Sequence, residues 1–234
     1  MPNNFKKSTL TPTLSHWRGS KCAFTLAEVL ITLVIIGVIA AITVPTLMNS
    51  TNNQETVSKL KKAYSTMAQA TNLIIAEEGP PVNNGVGWVT NMDDVYNLYI
   101  KHLHNAKECS NKSGCLADKY LWMNGQYTDN YNAANAAARN FVLADGTYVA
   151  IIKAEPTCTG GYSGEGTNTH RICAEFWIDI NGAKKPNAIG RDLFAFILEP
   201  NGLYPAGCDN DTCNKNSTGF GCTCKVLREG AINY

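Results

Sequence analysis

The chain has 234 residues, long enough for one domain with a substantial core and further elements besides. Charged residues make up 17% of it and apolar residues 44%, so a membrane-spanning part would have to be one local segment. The formal net charge of +1 lacks the basic excess of a nucleic-acid binder, and no nucleic-acid partner is expected. The charge is nevertheless unevenly placed. Residues 1–23 carry Lys6, Lys7, Arg18 and Lys21 and no acid, which leaves 16 basic and 19 acidic residues in the remainder. Of nine cysteines, Cys22 lies in this basic leader and the other eight follow residue 100. Removing the leader makes the count even, as in an exported domain with up to four disulfides.

Phe24 to Met48 reads FTLAEVLITLVIIGVIAAITVPTLM, with Glu28 as its only charge. Twenty-five helical residues, rising about 1.5 Å each, suffice for a hydrocarbon core of roughly 30 Å. Basic residues flank only the N-terminal side, and Lys59 is the first after the segment. The positive-inside rule therefore predicts a cytoplasmic leader and an exported C-terminal part. A conventional signal peptide cut near Ala40 or Ala41 is the alternative, and would make the chain a secreted, disulfide-rich binding or adhesion module. The apolar run, however, is longer than a usual signal core and continues past that point. A carboxylate within an apolar span is costly and marks a functional position unless it merely serves the first turn of the helix.

The stretch Lys21-Cys22-Ala23-Phe24-Thr25-Leu26-Ala27-Glu28 resembles the processing site of type IV pilins and type II secretion pseudopilins. The resemblance covers about 25 residues and joins a basic leader, a Phe, a spaced Glu and an unbroken apolar run. It implies that a prepilin peptidase cuts between Ala23 and Phe24 and methylates the new amine. Ala23 stands where the family usually has Gly. It also implies that Glu28 pairs with the amine of Phe24 in a neighbouring subunit, and that Gly37 and Pro45 match positions where many members carry Gly and Pro. The partners so implied are copies of the chain or other pilins, the peptidase, an inner-membrane assembly platform and membrane lipid. The location implied is a single-pass inner-membrane protein with its C-terminal part outside, later assembled into a pilus or pseudopilus. The fold implied is α+β, a long N-terminal helix laid across an antiparallel sheet.

Pro45 sits inside a helical pattern, where a kink or local melt is expected. Val57, Leu60, Tyr64, Met67, Thr71, Ile74 and Ile75 then recur at three- and four-residue steps, while Lys59, Lys61, Lys62 and Gln69 occupy other faces. Gly79-Pro80-Pro81 ends the run. The expected organisation is a leader over 1–23, a filament-core helix over 24–48, its amphipathic continuation over 49–78, and an exported α+β domain over 79–234.

Within that domain, Asn91-Met92-Asp93-Asp94 reads as a helix start. The Ala/Asn tract at 132–140 is compatible with helix. Four strands are expected: Phe141–Leu143 and Tyr148–Ile152 around the turn Ala144-Asp145-Gly146-Thr147, then Ile172–Ile180, then Leu193–Leu198. Set against the helix, they predict a two-layer arrangement.

Cys208, Cys213, Cys222 and Cys224 raise the question of zinc, but Cys222-Thr223-Cys224 is too tight for the usual pairing and no histidine is near. Disulfides are preferred, with Cys222 and Cys224 bound to different partners, Cys208 and Cys213 being nearest. Cys109–Cys115 and Cys158–Cys173 are the other expected pairs. Asp179, Asn181 and Asp192 are weak calcium candidates, since the spacing puts Lys184 and Gly190 where an EF-hand needs Gly and Glu. Asn181-Gly182 and Pro186-Asn187 favour plain turn chemistry, so no cofactor is expected. His102, His104 and His170 have no partner at catalytic spacing. Gly161-Tyr162-Ser163-Gly164-Glu165 misses the nucleophile elbow at its last residue. No motif nominates an enzyme.

Overall fold

The computed structural model describes residues 24–82, 87–109, 116–117, 119–128, 138–159, 171–209 and 213–234. The leader with Ala23, the Gly-rich loop after Cys158, Cys115, His170 and most of the Ala/Asn tract lie outside the described residues.

The first element is α1 (Leu26–Glu78), followed by α2 (Met92–His102). Eight strands come next: β1 (Lys107–Cys109), β2 (Tyr120–Leu121), β3 (Tyr127–Thr128), β4 (Arg139–Val142), β5 (Tyr148–Ala154), β6 (Ala174–Asp179), β7 (Leu193–Glu199) and β8 (Gly202–Pro205). A short helix, α3 (Cys222–Glu229), closes the list. The chain divides into a unit ending at Leu47 and a second unit from Met48 onward, and α1 contributes to both.

The sheet of the second unit is antiparallel, with six strands in the order β1-β4-β5-β6-β7-β8. This corrects the expectation of four. The added strands sit at the two edges, where β1 and β8 are only three and four residues long. Such short runs carry too little alternation to stand out from loops. A separate two-stranded ladder joins β2 to β3, also unanticipated. Arg139 and Asn140 of the Ala/Asn tract belong to strand β4 rather than to a helix.

Alternation along the strands decides the layering. Ala174, Phe176 and Ile178 of β6 face the same side as Phe194, Phe196 and Leu198 of β7, joining one core with Val57, Leu60, Met67 and Ile74 of α1. Tyr64 stacks on Phe196 with ring centroids 5.4 Å apart. Thr71 Oγ1 and the Tyr99 hydroxyl meet at 2.6 Å inside this core, linking α1 to α2. The helical stripe is thus wider than the expected one, because Ala63 and Ala70 are buried with it.

The opposite face of the sheet is not open to water. Trp177, Ala150, Leu193 and Ala195 join Tyr120, Ile189 and Phe220 in a second apolar cluster. Trp177 packs edge-on to Phe220 at 4.5 Å, and its indole N–H donates to the buried Glu175 carboxylate at 2.9 Å. The expected two-layer plan therefore becomes three, with the long connections supplying the outer layer. This explains why all six residues of β6 are buried.

The C-terminal layer is cross-linked by Cys208–Cys224 and Cys213–Cys222. Cys222 and Cys224 stand two residues apart on α3, where side chains point to different sides, so each takes its own partner. Gly207 lies at φ +84°, and a Cβ there would fall 2.1 Å from the Gly221 carbonyl oxygen. Only glycine lets the two backbones approach so closely beside the disulfides.

Candidate functional site

Residues 24–45 form the apolar segment of the first unit. Among the described residues from Phe24 to Met48, no side chain is buried. Phe24, at 83% exposure, is among the most exposed, and Leu30, Ile35, Ile39 and Ile42 are open as well. Leu26–Pro45 is long and apolar enough to cross a membrane. A helix that is apolar all round needs an apolar surrounding, either lipid or other protein. Helix α1 contains both Gly37 and Pro45, and residues on either side of Pro45 are helical. Proline costs its own missing N–H bond there, and the bonds around it hold the segment helical.

The start of α1 has a definite cause. Thr25 lies just outside the helix and its carbonyl accepts the first helical bond, from Val29 N–H at 3.2 Å. Glu28 N–H donates to Thr25 Oγ1 at 3.2 Å, while Thr25 N–H donates to Glu28 Oε2 at 2.8 Å. The Thr25 hydroxyl also donates to that oxygen at 2.9 Å. This is a capping box, two helix-end N–H groups satisfied reciprocally. Glu28 therefore has a local role in its own helix, and Phe24 is left outside the helical register. Thr25 was not singled out from the sequence, although Thr-x-x-Glu ahead of an apolar run is the signature that finds it.

The calcium candidates come together in the turn between β6 and β7, where their carboxylates accept from the chain's own donors. Asp179 Oδ1 accepts from the N–H groups of Asn181 at 3.0 Å and Gly182 at 2.7 Å, and Oδ2 accepts from the Tyr120 hydroxyl. Asp192 Oδ1 accepts from Ala188 N–H at 2.6 Å, and Oδ2 from Asn187 N–H at 2.7 Å. Asn181 reaches Asp192 through its own amide, Nδ2 donating at 3.4 Å. Backbone N–H groups and the Tyr120 hydroxyl thus hold both carboxylates in place within the turn. Among the described residues, no three acidic, histidine or cysteine side chains gather as a metal site. Burial pushes Asp179 up to about 7 and Asp192 up to about 6, against the N–H donors, which favour the charged form. Tyr120, 59 residues from Asp179, left no sign of this partnership in the sequence.

The remaining candidates are dispersed. Cys158 is bonded to Cys173, and Cys109 is disulfide-bonded as well. His102 lies at the end of α2 and donates from Nδ1 to the Leu98 carbonyl at 2.8 Å, while His104 is exposed.

Residues 18–44 match the family model described as the prokaryotic N-terminal methylation motif. No curated protein and no solved structure matches the chain.

Proposed function

We propose, from an N-terminal methylation motif that is the signature of type IV pilins and pseudopilins, that this chain is a structural subunit of a pilus or secretion pseudopilus. A prepilin peptidase removes residues 1–23 and methylates the amine of Phe24. The subunit then waits in the membrane, held by Leu26–Pro45, and passes into a filament through that same segment. The observation that carries this reading is the coincidence of the motif with an apolar helix that buries nothing within its own chain. Disulfides in the second unit accord with an exported domain. The reading is one of structure and assembly; it assigns no catalytic step.

In this reading Glu28 does two things in sequence. In the single subunit its carboxylate completes the cap with Thr25. In the filament it faces the cationic amine of a neighbour's Phe24, and a wrong register would leave both charges unpaired in an apolar core. Two substitutions separate these roles. Glu28→Gln keeps an acceptor for the cap and removes the charge, whereas Glu28→Ala removes both. Both variants should insert in the membrane, and both should lose most of the filament recovered in a sheared surface fraction. Normal filaments from Glu28→Gln would remove the charge-pairing role, and a mature N-terminus other than Phe24 would remove the processing assignment.

A further inference from the structure

The turn between β6 and β7 carries three cations within eight residues, Lys184, Lys185 and Arg191, in a chain that is otherwise acidic after residue 23. All three side chains are exposed; with Lys59 the larger cause, Lys184 lies near enough to Glu55 to help hold that carboxyl below its usual range. The three cations border two adjoining cavities of about 360 and 290 Å³ that share Asn52, Thr56, Asn181 and Pro186 as walls. Lys59 stands on the same rim, bound to Glu55 at 2.8 Å. The other acid of the groove, Asp192, is turned onto the N–H groups of Asn187 and Ala188. The walls mix the amides of Asn52, Asn53 and Asn181 with the apolar side chains of Ile180, Pro186 and Ile232, and the Asn181 Oδ1 atom is buried without a hydrogen-bond partner.

We propose that this groove docks the acidic phospholipid headgroups of the bilayer that the apolar span enters. The proposal rests on the membrane reading of Leu26–Pro45. A phosphodiester offers the paired oxygens that a guanidinium engages with two parallel bonds, and lysine ammonium groups add point charge beside it. Asparagine amides suit the ester and hydroxyl oxygens of a headgroup. Asn52 follows Pro45 by seven residues, so even a fully extended chain holds the groove wall within about 25 Å of the span's end. The bilayer surface is therefore always close to hand. Juxtamembrane lysines and arginines are drawn to an anionic surface, an attraction that salt screens.

The test uses the full chain in lipid nanodiscs, either all phosphatidylcholine or with about 30% phosphatidylglycerol. Amine acetylation of Lys184 and Lys185 is followed by mass spectrometry, with Lys107 as the internal reference. In acidic nanodiscs the two lysines should react about fivefold more slowly than in neutral ones, and concentrated salt should abolish the difference. Arg191→Gln should cut the protection of both lysines while the thermal unfolding midpoint stays unchanged. Equal reactivity in the two lipids overturns the proposal. So does protection in neutral lipid that grows with the number of chains per disc, because copies of the chain would then be covering the groove. A chain that fails to co-elute with nanodiscs at all would instead overturn the membrane reading beneath it.

Discussion

Helix α1 serves two regions with opposite relations to their surroundings. Before Met48 apolar side chains cover every face and none of the described ones is buried, so the helix is held as a helix by its own backbone bonds and cap. After Met48 the apolar residues narrow to a stripe, and Leu60, Ala63, Met67 and Ile74 are wholly buried against the sheet. One helix thus shows both ways of managing apolar surface. The second region completes itself with its own chain, and the first requires lipid or other protein. The difference teaches where a mutation should be felt: in domain stability for one region, in insertion and assembly for the other.

The strongest way to break this comparison is paired truncation. Phe176→Ala should destabilise the second unit by about 3–5 kcal/mol, whereas Ile35→Ala should leave it within about 0.5 kcal/mol. Denaturant titration of detergent-solubilised protein, followed by its tryptophan fluorescence, measures both. A large effect of Ile35→Ala on domain stability would mean the first region is not energetically separate. Next in size is the C-terminal cross-link. Replacing both Cys213 and Cys222 by Ser should cost about 2–4 kcal/mol in the same titration, with no change in membrane insertion.

A pH series sharpens the comparison, because the two raised carboxyls belong to the second region alone. Asp179 and Asp192 hold their protons in the fold up to about 7 and about 6, whereas in the unfolded chain they lose them near the usual 3.8. The folded state therefore binds more protons in this window, and stability should fall as pH rises from 4 to 7. A fall of several kcal/mol is expected, and Asp179→Asn should flatten much of it. Stability rising across that window would refute the assignment. The smallest effect belongs to the ion pair of Lys62 with Asp145, 3.0 Å apart and largely in water on the lysine side. Lys62→Gln should shift stability by no more than about 0.5–1 kcal/mol, and less still at high salt.

Much of this molecule could be read in advance wherever local rules act without competition. The start of α2 is an example. Asn91 caps it by accepting from Asp94 N–H at 3.0 Å, as the Asn-x-x-Asp run suggests. The hairpin around Asp145-Gly146 is another, with Gly146 at φ +86° where its turn needs glycine. The apolar span belongs here too, since continuous hydrophobicity over that length has few other uses. In the candidate site, Glu28 stood out by its isolation, but its partner Thr25 was passed over although it lay three residues away.

What the chain order alone determined, then, is the set of elements with strong local signals: the apolar helix and its methylation motif, the amphipathic stripe, the central strands, and an oxidised cysteine pattern. These follow from periodicity, capping and turn chemistry, which act over a few residues. The tertiary structure alone decided the edge strands β1 and β8, the second apolar layer around Trp177 and Phe220, and the inward turn of Asp179 onto Tyr120. Each of those depends on contacts between residues far apart in the chain, whose free energy appears only once the sheet has brought them together.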